Sequence, residues 1–448
     1  MCVKIISNYE YVSFGSDIMK YSFKHKSVAE GIDFCSIEAQ GFKTACVSIS
    51  FLVPLSEDAS LYALIPNILT HSSANYPDIT AIEKKLAFLY GADIIVDISK
   101  IGEHQELKIV ISSIDDRFAI DGERISEECS RLLFELVFNP RLENGVFVQA
   151  DVESEKRLLA ERLASEINDK RLYAKNRCEE IMCADEAFGI HRYGTAESIA
   201  KITPQTLYDA YKEMLRMAHI TIGVSGGSFE SVAAVADEYL SGISRNYLKT
   251  DTVIVESACD VQRVTEKESV KQGKLVLGFR MGMKDANDNY AARRIMVDLF
   301  GGSPHSKLFT VVREKMSLCY YCSARMLRQK GLMYVQSGIE TYNAQKAEEA
   351  ILAQLEAIRN GDFTDEDIEF SVKALEDGFK SVTDSPEALD AWFTAQSLSG
   401  EYLYPDDYIE AFKKVTREDI IKAASEVTLD TVFMLEGTLE GGEETCGE

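Results

Sequence analysis

The feature of this sequence that most constrains its fold is an internal duplication. The segment "KITPQTLYDAYKEML…HITIGVSGG" (201–227) matches "KVTREDIIKAASEVT…DTVFMLEGT" (414–438). A second pair, "VFNPRLENGVFVQADVESEKRLL" (137–159) and "IRNGDFTDEDIEFSVKALEDGF" (358–379), matches in the same order. The offset of about 215 to 220 residues is far longer than the repeat of a solenoid. The chain is therefore predicted to contain two copies of one large domain.

Both copies show the same order of local patterns. In the first copy, every second residue from Ala45 to Val53 is apolar, which predicts a half-buried strand over 43–53. Residues 273–283 form the corresponding strand of the second copy. The later strand-like runs and helical regions are 93–101, 105–114 and about 118–185 in the first copy, and 318–327, 332–340 and about 344–428 in the second. Strands followed by long helices predict an α+β fold.

The predicted architecture is two homologous domains, each a mainly antiparallel sheet packed with helices. We predict a first domain at 1–240, a linker at 241–272 and a second domain at 273–448.

Composition excludes several classes of partner. The chain has 73 acidic and 48 basic side chains, a formal net charge of −25, which argues against a nucleic-acid partner because phosphate binding needs clustered Lys and Arg. Its longest apolar stretches, such as "ACVSISFLVPL" (45–55), are far shorter than the roughly 20 residues of a membrane span. The N-terminus lacks the charged and apolar regions of a signal peptide. We predict a cytoplasmic protein with no membrane partner.

The ten cysteines show no disulfide framework and are predicted to be reduced thiols. Cys319 and Cys322 form the only Cys-x-x-Cys spacing and lie in a strand-like run. Positions three apart on a regular strand face opposite sides of the sheet. We therefore expect these two thiols to point apart and to chelate no metal.

The most patterned stretch is "GGSPHSKLFTVVREKMSLCYY" (301–321), a helix followed by a strand, with Arg313 and Tyr320 seven residues apart. Taken alone, an arginine at a helix C-terminus favours the helix dipole and needs no further role. Together with the duplicated α+β halves, however, the stretch resembles the pitrilysin/insulinase family of metallopeptidases. It is most similar to the bacterial branch related to mitochondrial processing peptidase, and the resemblance covers nearly the whole chain.

The resemblance implies that this chain forms half of a clamshell. In the family, two such chains enclose a chamber; the zinc site lies in the first domain of one chain, and an Arg–Tyr pair from the facing chain binds the substrate carbonyl. By resemblance, Arg313 and Tyr320 take that part in trans. A cation and a phenol are suited to stabilise the oxyanion that develops on an attacked peptide bond.

The family's zinc motif is degenerate here. Relatives of this inverzincin type carry H-x-x-E-H on a helix of the first domain, in which two histidines bind zinc and the glutamate is the general base. An alignment on Tyr76-Pro77 places the three motif positions on Ala63, Pro66 and Asn67. None of the three is a histidine or a carboxylate, and Pro66 is expected to kink the helix.

The distal zinc ligand is also missing in this alignment. Relatives carry a helix with two glutamates seven residues apart, the second of which binds zinc. Glu155 matches the first position, and the second then falls on Arg162. Glu161 is one residue off, which rotates it by about 100° around a helix. A cationic side chain at the ligand position repels a metal ion.

Two histidines remain as alternative ligands, and neither has suitable neighbours in sequence. His71 has no histidine four residues away and no glutamate beside it, which indicates a structural or surface histidine. His104 lies between Glu103 and Glu106, but adjacent residues of a strand face opposite sides. We predict no metal at either histidine.

The sequence therefore predicts a non-catalytic subunit of a heterodimeric zinc peptidase. It would bind no cofactor itself, and zinc is expected in a motif-bearing homologous partner that acts on an extended peptide. The alternative is a non-enzymatic homodimer of the same fold that serves as a peptide-binding or scaffold protein, as core subunits of a respiratory complex do within the family. The absent zinc site favours this alternative, and the Arg313–Tyr320 spacing favours the heterodimer.

Overall fold

The computed structural model describes residues 10–11, 21–39 and 41–438. The strands in this part of the chain are β1 Glu10–Tyr11, β2 Tyr21–Ala29, β3 Ile32–Ala39, β4 Thr44–Pro54, β5 Asp93–Ile101, β6 His104–Ile114, β7 Leu142–Glu143, β8 Val146–Phe147, β9 His219–Ser225, β10 Gln262–Glu268, β11 Gly273–Arg280, β12 Cys319–Leu327, β13 Leu332–Ile339 and β14 Thr428–Gly437. The mixture of sheets and helices is the predicted α+β class.

The α-helices in the same residues are α1 Ala59–His71, α2 Ile79–Phe88, α3 Ile125–Phe138, α4 Gln149–Ser165, α5 Lys170–Met182, α6 Ala196–Ala200, α7 Pro204–Met217, α8 Phe229–Leu240, α9 Tyr290–Val297, α10 Ala344–Arg359, α11 Asp365–Lys380, α12 Pro386–Thr394, α13 Pro405–Phe412 and α14 Arg417–Ser425. Two π-helical segments, Asp298–Gly302 and Leu308–Lys315, follow α9. None of the described helices is both long and apolar enough to cross a membrane.

The chain divides into two compact units that exchange segments. The first unit contains the described residues up to Leu163, with Ile190–Asp251 and Lys380–Tyr404. The second unit contains the remaining described segments, Ala164–Gly189, Thr252–Phe379 and the chain from Pro405 onward. Each unit therefore includes one segment that sequence position alone would assign to the other copy. The domain limits inferred from the duplication remain a prediction.

The first unit is built on a seven-stranded sheet, which we name the first sheet. Its described strands follow the order β1-β2-β3-β9-β4-β6-β5. The pairing of β3 with β9 is parallel and the other pairings are antiparallel. On one face, α1 and α3 pack their apolar residues into a core around Phe51, Ile109 and Leu133.

The prediction that β4 is half-buried was wrong, because both faces of this strand are covered. Residues 45–53 are all buried. The second face is covered by α12, which reaches the sheet from the segment Lys380–Tyr404. Asp390 of this helix accepts a hydrogen bond from the Ser48 hydroxyl at 2.9 Å. A local pattern of apolar and polar residues cannot reveal a covering helix that lies more than 300 residues away.

The second unit is built on a five-stranded sheet, the second sheet, whose described strands follow the order β10-β14-β11-β13-β12. One face is covered by α5. Gly278 allows this close approach, since a Cβ at that position would lie 2.6 Å from the Met182 sulfur. Buried Arg280 joins the helix and the sheet: its guanidinium donates a hydrogen bond to the Met182 carbonyl of α5 at 2.6 Å and forms an ion pair with Asp430 of β14 at 2.8 Å.

Candidate functional site

The positions aligned with the zinc motif lie on α1 and carry no metal-binding group. Ala63 and Pro66 are buried in the core of the first unit, and Asn67 is half-buried. The Asn67 amide donates a hydrogen bond to the Ala63 carbonyl at 3.4 Å. Pro66 lies inside the helix, and the Thr70 hydroxyl donates to its carbonyl at 2.9 Å. Ala63 and Pro66 therefore pack in the interior, and the Asn67 amide bonds to its own helix.

At the end of α1, His71 contacts two carboxylates that sequence proximity did not reveal. Its Nδ1 lies 3.3 Å from Glu155 Oε1, and its Nε2 lies 3.7 Å from Asp151 Oδ1. Both acidic residues belong to α4, where their spacing of four places them on one face of the helix. Asp151 also accepts a hydrogen bond from the Ser72 hydroxyl at 3.2 Å. The acidic pair at i and i+4 was the sequence signal that could have identified this contact.

The other positions considered for the distal ligand lie further along α4. Glu161 forms an ion pair with Arg157 at 3.0 Å, and both side chains are exposed. Arg162 is also exposed, in the last turn of the helix. Seven residues separate Arg162 from Glu155, which is about 10 Å along a helix. The structure therefore brings Glu155, rather than residue 161 or 162, to the histidine of α1.

The first unit does not fit a zinc ion. Within the described residues, no group of three or more His, Cys, Asp or Glu side chains is arranged to hold a metal. His71 contacts Glu155 and Asp151, and the polar side chain four residues earlier on this helix is an amide, Asn67, with the hydroxyl of Thr70 beside His71. An amide and a hydroxyl are poor zinc ligands compared with imidazole and carboxylate.

His104 lies on β6 in the first unit and is buried, which lowers the pKa of its imidazole. The neighbouring carboxylate of Glu106 accepts hydrogen bonds from the Ser50 and Ser99 hydroxyls, both at 2.8 Å. These bonds engage both oxygens of Glu106 in the sheet. Glu106 is therefore part of the polar packing of the first sheet.

The second unit contains a cavity of about 550 Å³, which we name the arginine cavity. It is lined by Arg171, Arg294, Gly301, Gly302, Phe309, Arg313, Tyr321, Cys322, Ser323, Ala324, Arg325 and Met326. Four of these residues are arginines, and none of the described lining residues is acidic. Such a concentration of positive charge is unexpected in a chain whose net charge is −25.

The two residues singled out by the family pattern lie differently with respect to this cavity. Arg313 lines it, with its guanidinium 4.4 Å from the centre of the Phe309 ring. Tyr320 lies outside the lining and is 52% exposed. Its hydroxyl donates a hydrogen bond to the Glu340 carboxylate, which raises the pKa of the tyrosine. The tyrosine that lines the cavity with Arg313 is Tyr321.

A β-bulge explains this arrangement and corrects the prediction for the two cysteines. Cys319 pairs with Ile339, but Tyr321 pairs with the next residue, Gly338, so that Tyr320 is an extra residue on β12. The extra residue shifts the alternation of side chains by one. Cys319 and Cys322 therefore reach the same side, where a hydrogen bond from the Cys322 thiol lowers the pKa of Cys319. The expectation that the two thiols point apart was wrong.

Comparison with known proteins identifies relatives of the whole chain. A family described as "Peptidase M16 inactive domain" matches residues 201–375. "Probable inactive metalloprotease YmfF" of Bacillus subtilis (strain 168) is 31% identical over 422 residues, which is 94% of this chain and 99% of that protein.

Solved structures show the same fold. A conserved protein from Enterococcus faecalis V583 superposes with a TM-score of 0.85 and 27% identity, over 94% of this chain and 99% of that one. The peptidase M16 inactive domain from Pseudomonas fluorescens superposes with a TM-score of 0.75 and 18% identity, over 93% of this chain and 99% of that one. The described architecture is thus shared across full-length chains.

Proposed function

This chain belongs to the M16 family of pitrilysin/insulinase-type peptidases, as a member that lacks the zinc-binding motif, and from that premise we propose that it is the non-catalytic subunit of a heterodimeric zinc peptidase. The observation that carries the proposal is a contrast within one chain. The described part of the first unit has no cluster of side chains arranged to hold a metal, whereas the second unit has a cavity with four arginines, including Arg313. A chain that had lost every peptidase role would have no need of that charge.

In this proposal the zinc ion and its general base belong to a homologous partner subunit. Arg313 and Tyr320 of this chain would bind the substrate carbonyl there, because a guanidinium and a phenol stabilise the developing oxyanion. Both side chains are accessible: Arg313 is 38% exposed and Tyr320 is 52% exposed. The Tyr320 hydroxyl now engages Glu340 and would have to exchange this carboxylate for the substrate.

We also infer that the degenerate motif lies one helical turn later than the sequence alignment placed it. In the family, a histidine of this helix meets a glutamate of a later helix. His71 meets Glu155 in this way, at 3.3 Å. The motif positions would then be Asn67, Thr70 and His71, which retains one histidine and loses the other histidine and the base. Both alignments describe a chain that cannot hydrolyse a peptide by itself.

The compartment is part of the proposal. The cysteines in the described residues, eight in number, are free thiols. Free thiols are the normal state of cysteine in a reducing compartment, which supports a cytoplasmic location.

The second candidate is a homodimeric peptide-binding or scaffold protein without catalysis. The first sheet ends at β5 and the second sheet at β12, and each of these strands is paired on one side only among the described strands. An edge strand of this kind can accept an extended peptide as an additional strand. This candidate needs no partner with zinc and no role for Tyr320.

The first test is purification of the chain at native level from its source cells, with mass spectrometry of the proteins bound to it. A stoichiometric homologue that carries H-x-x-E-H supports the heterodimer. Recovery of this chain alone contradicts it and leaves the scaffold protein.

The second test assembles purified partner with variants of this chain. Arg313→Ala is expected to lower the turnover of a peptide substrate by about 100-fold, as for the loss of one oxyanion donor, and Tyr320→Phe by a similar factor. Lys315→Ala, an exposed basic position in the same helical segment, is the matched control and is expected to change nothing. Unchanged turnover in Arg313→Ala and Tyr320→Phe would exclude their role in trans.

A further inference from the structure

The geometry points to a binding site for acidic extended peptides in the arginine cavity, along the open edge of β12. This inference rests on the proposed peptide-binding function and assigns a substrate class to it. It concerns the peptide side chains on this chain, whereas the proposed role of Arg313 concerns the carbonyl at a partner's zinc ion.

The cavity follows the edge of the second sheet. β12 is the last strand in the order of the described sheet and pairs only with β13. The six consecutive residues 321–326 all line the cavity. Neighbouring residues of a strand face opposite sides, so a cavity on one face would contact only every second residue. This cavity therefore wraps around the strand edge, over about 20 Å at roughly 3.3 Å per residue.

Arginines lie on both sides of that edge. On the side covered by α5, Arg171 donates to Gln336 at 2.8 Å and to Ser323 at 3.2 Å, and its guanidinium lies 4.6 Å from the Tyr321 ring centre. Arg325 is two residues beyond Ser323 and shares its face of the strand. An extended peptide beside β12 would place every second side chain on this face.

The opposite side carries the other two arginines. Arg294 of α9 and Arg313 of Leu308–Lys315 line the cavity there. Gly301 brings this layer close to the strand, since a Cβ on it would lie 2.6 Å from the Ala324 backbone nitrogen. The alternate side chains of a bound peptide would therefore also meet guanidinium groups.

The positive charge of the cavity is not balanced by its own lining. Arg313 lies 3.6 Å from the carboxylate of Glu314, which is on the same helical segment but does not line the cavity. Asp298, near Arg294, lies outside the lining, and burial raises the pKa of its carboxyl. Burial and the nearby charge of Arg171 lower the pKa of Lys274, whose Nζ lies 6.0 Å from the Tyr321 ring centre. Burial is the larger of these two causes, and repulsion by the like charge of Arg171 adds to it.

These features select a carboxylate-bearing peptide. Guanidinium groups bind carboxylates through paired, charge-assisted hydrogen bonds. A free phosphate also binds guanidinium groups, but it cannot pair with a strand edge as an additional strand. An extended chain uses the edge for backbone hydrogen bonds and directs successive side chains to the two rows of arginines. We therefore assign the cavity to acidic side chains of an extended peptide.

The test measures peptide binding to the full chain without a partner, by fluorescence anisotropy. The probe is a labelled octapeptide in which Glu alternates with Thr, and its twin has Gln at each Glu. The Glu peptide is expected to bind at least about tenfold more tightly, because charged hydrogen bonds contribute more than neutral ones.

Variants then locate the site. Arg325→Gln and Arg171→Gln are each expected to lower the affinity for the Glu peptide by about tenfold and to leave the Gln peptide unchanged. Arg325 is exposed on the strand edge, so its replacement leaves the fold intact even where Arg171, which bonds to Ser323 and Gln336, contributes to packing. Lys267→Gln is the matched control, since it removes the same charge from β10 at the other edge of the sheet.

Equal binding of the two peptides, or unchanged affinity in both arginine variants, overturns the inference. Competition by millimolar sodium phosphate without a preference for the Glu peptide also overturns it and assigns the arginines to a free anion. The outcomes are independent of the partner experiment. If the chain prefers the Glu peptide but no zinc-bearing partner is recovered with it, the peptide site is supported and the heterodimer is contradicted. If turnover by the partner depends on Arg313 but the chain shows no preference for the Glu peptide, the heterodimer is supported and the peptide site is contradicted.

Discussion

Charged side chains have partners on the covered face of the first sheet but are concentrated without opposite charges in the described lining at the open edge of the second sheet. On the first sheet, Lys108 is buried 2.7 Å from Asp390, and Glu106 accepts two serine hydroxyls. On the second sheet, the arginine cavity gathers four guanidinium groups without a carboxylate in its described lining. The first region balances each buried charge with a group of its own unit. The second leaves its charge exposed along a strand edge.

This contrast separates charges that stabilise the fold from charges that are available to a ligand. A buried ion pair is strongly destabilised when one partner is removed. In a cluster of like charges the opposite change in stability is expected: its members repel one another, so removal of one charge relieves the repulsion and stabilises the fold. Predictions about stability therefore have opposite signs in the two regions.

The largest effect is expected on the covered face, for Asp390→Ala. The substitution leaves Lys108 as a buried charge without its partner and removes the acceptor of the Ser48 hydroxyl. We expect the free energy of unfolding to fall by about 3–5 kcal/mol, measured by urea denaturation. Glu387→Gln on the same helix keeps an acceptor for Ser112 and is the control, with a loss below about 1 kcal/mol. A small effect of Asp390→Ala would remove the contrast between the two regions.

The second prediction concerns the zinc affinity of the first unit after two motif residues are restored on α1. Asn67→His together with Thr70→Glu would add a second histidine and a base to the native His71 and Glu155. We expect zinc affinity to rise on the order of 100-fold, because a third ligand converges on the ion. Isothermal titration with zinc sulfate measures it. The control is the triple variant Ala63→His, Pro66→Glu and Asn67→His. Tighter zinc binding by this control would show that the motif positions are those of the sequence alignment.

The third prediction is the dependence of stability on acidic pH that is caused by Asp33, a carboxylate of the first sheet with two histidine partners. Burial alone raises the pKa of Asp33, but hydrogen bonds with His219 and His25 outweigh it and lower the pKa from 3.8 to about 2. A carboxyl whose pKa is lower in the folded chain than in the unfolded chain stabilises the fold at pH values above the unfolded-state pKa. This stabilisation is lost as the pH falls and the folded-state carboxylate binds a proton. We expect about 2 kcal/mol of the free energy of unfolding to disappear between about pH 5 and pH 2.

Urea denaturation at stepped pH measures this loss. Asp33→Asn is expected to lower the stability at pH 7 and to remove that part of the acid dependence. An acid dependence that is equal in the variant would show that Asp33 is not the group responsible.

The smallest effect is expected in the second region and has the opposite sign. Burial, and to a smaller extent the charge of Arg171, lowers the pKa of Lys274, so the charged form of this lysine is less stable in the folded chain than in the unfolded chain. Lys274→Gln removes this cost, and we expect a gain in the free energy of unfolding below about 1 kcal/mol. Thermal denaturation with Lys267→Gln as control measures it. A loss of stability would show that the charge of Lys274 costs the folded state nothing.

The fold class and the incomplete zinc motif could both be predicted from the amino-acid sequence. The duplication and the strand patterns are local properties, and periodicity reports them without knowledge of distant contacts. The replacement of ligands on α1 is likewise readable residue by residue, whichever alignment is used: Ala63, Pro66 and Asn67, or Asn67 and Thr70. The same stretch that carries Arg313 and Tyr320 also carried the family resemblance.

Only the tertiary structure decided which residues meet. The contact of His71 with Glu155, the cover of β4 by α12 and the arrival of Arg171 at β12 join residues that are far apart in the chain. The bulge at Tyr320 reverses the side on which later residues of β12 lie, and no local alternation predicts it. A local pattern specifies which face of an element is apolar. The partner of that face, and the charge left without a partner, are set by packing over the whole chain.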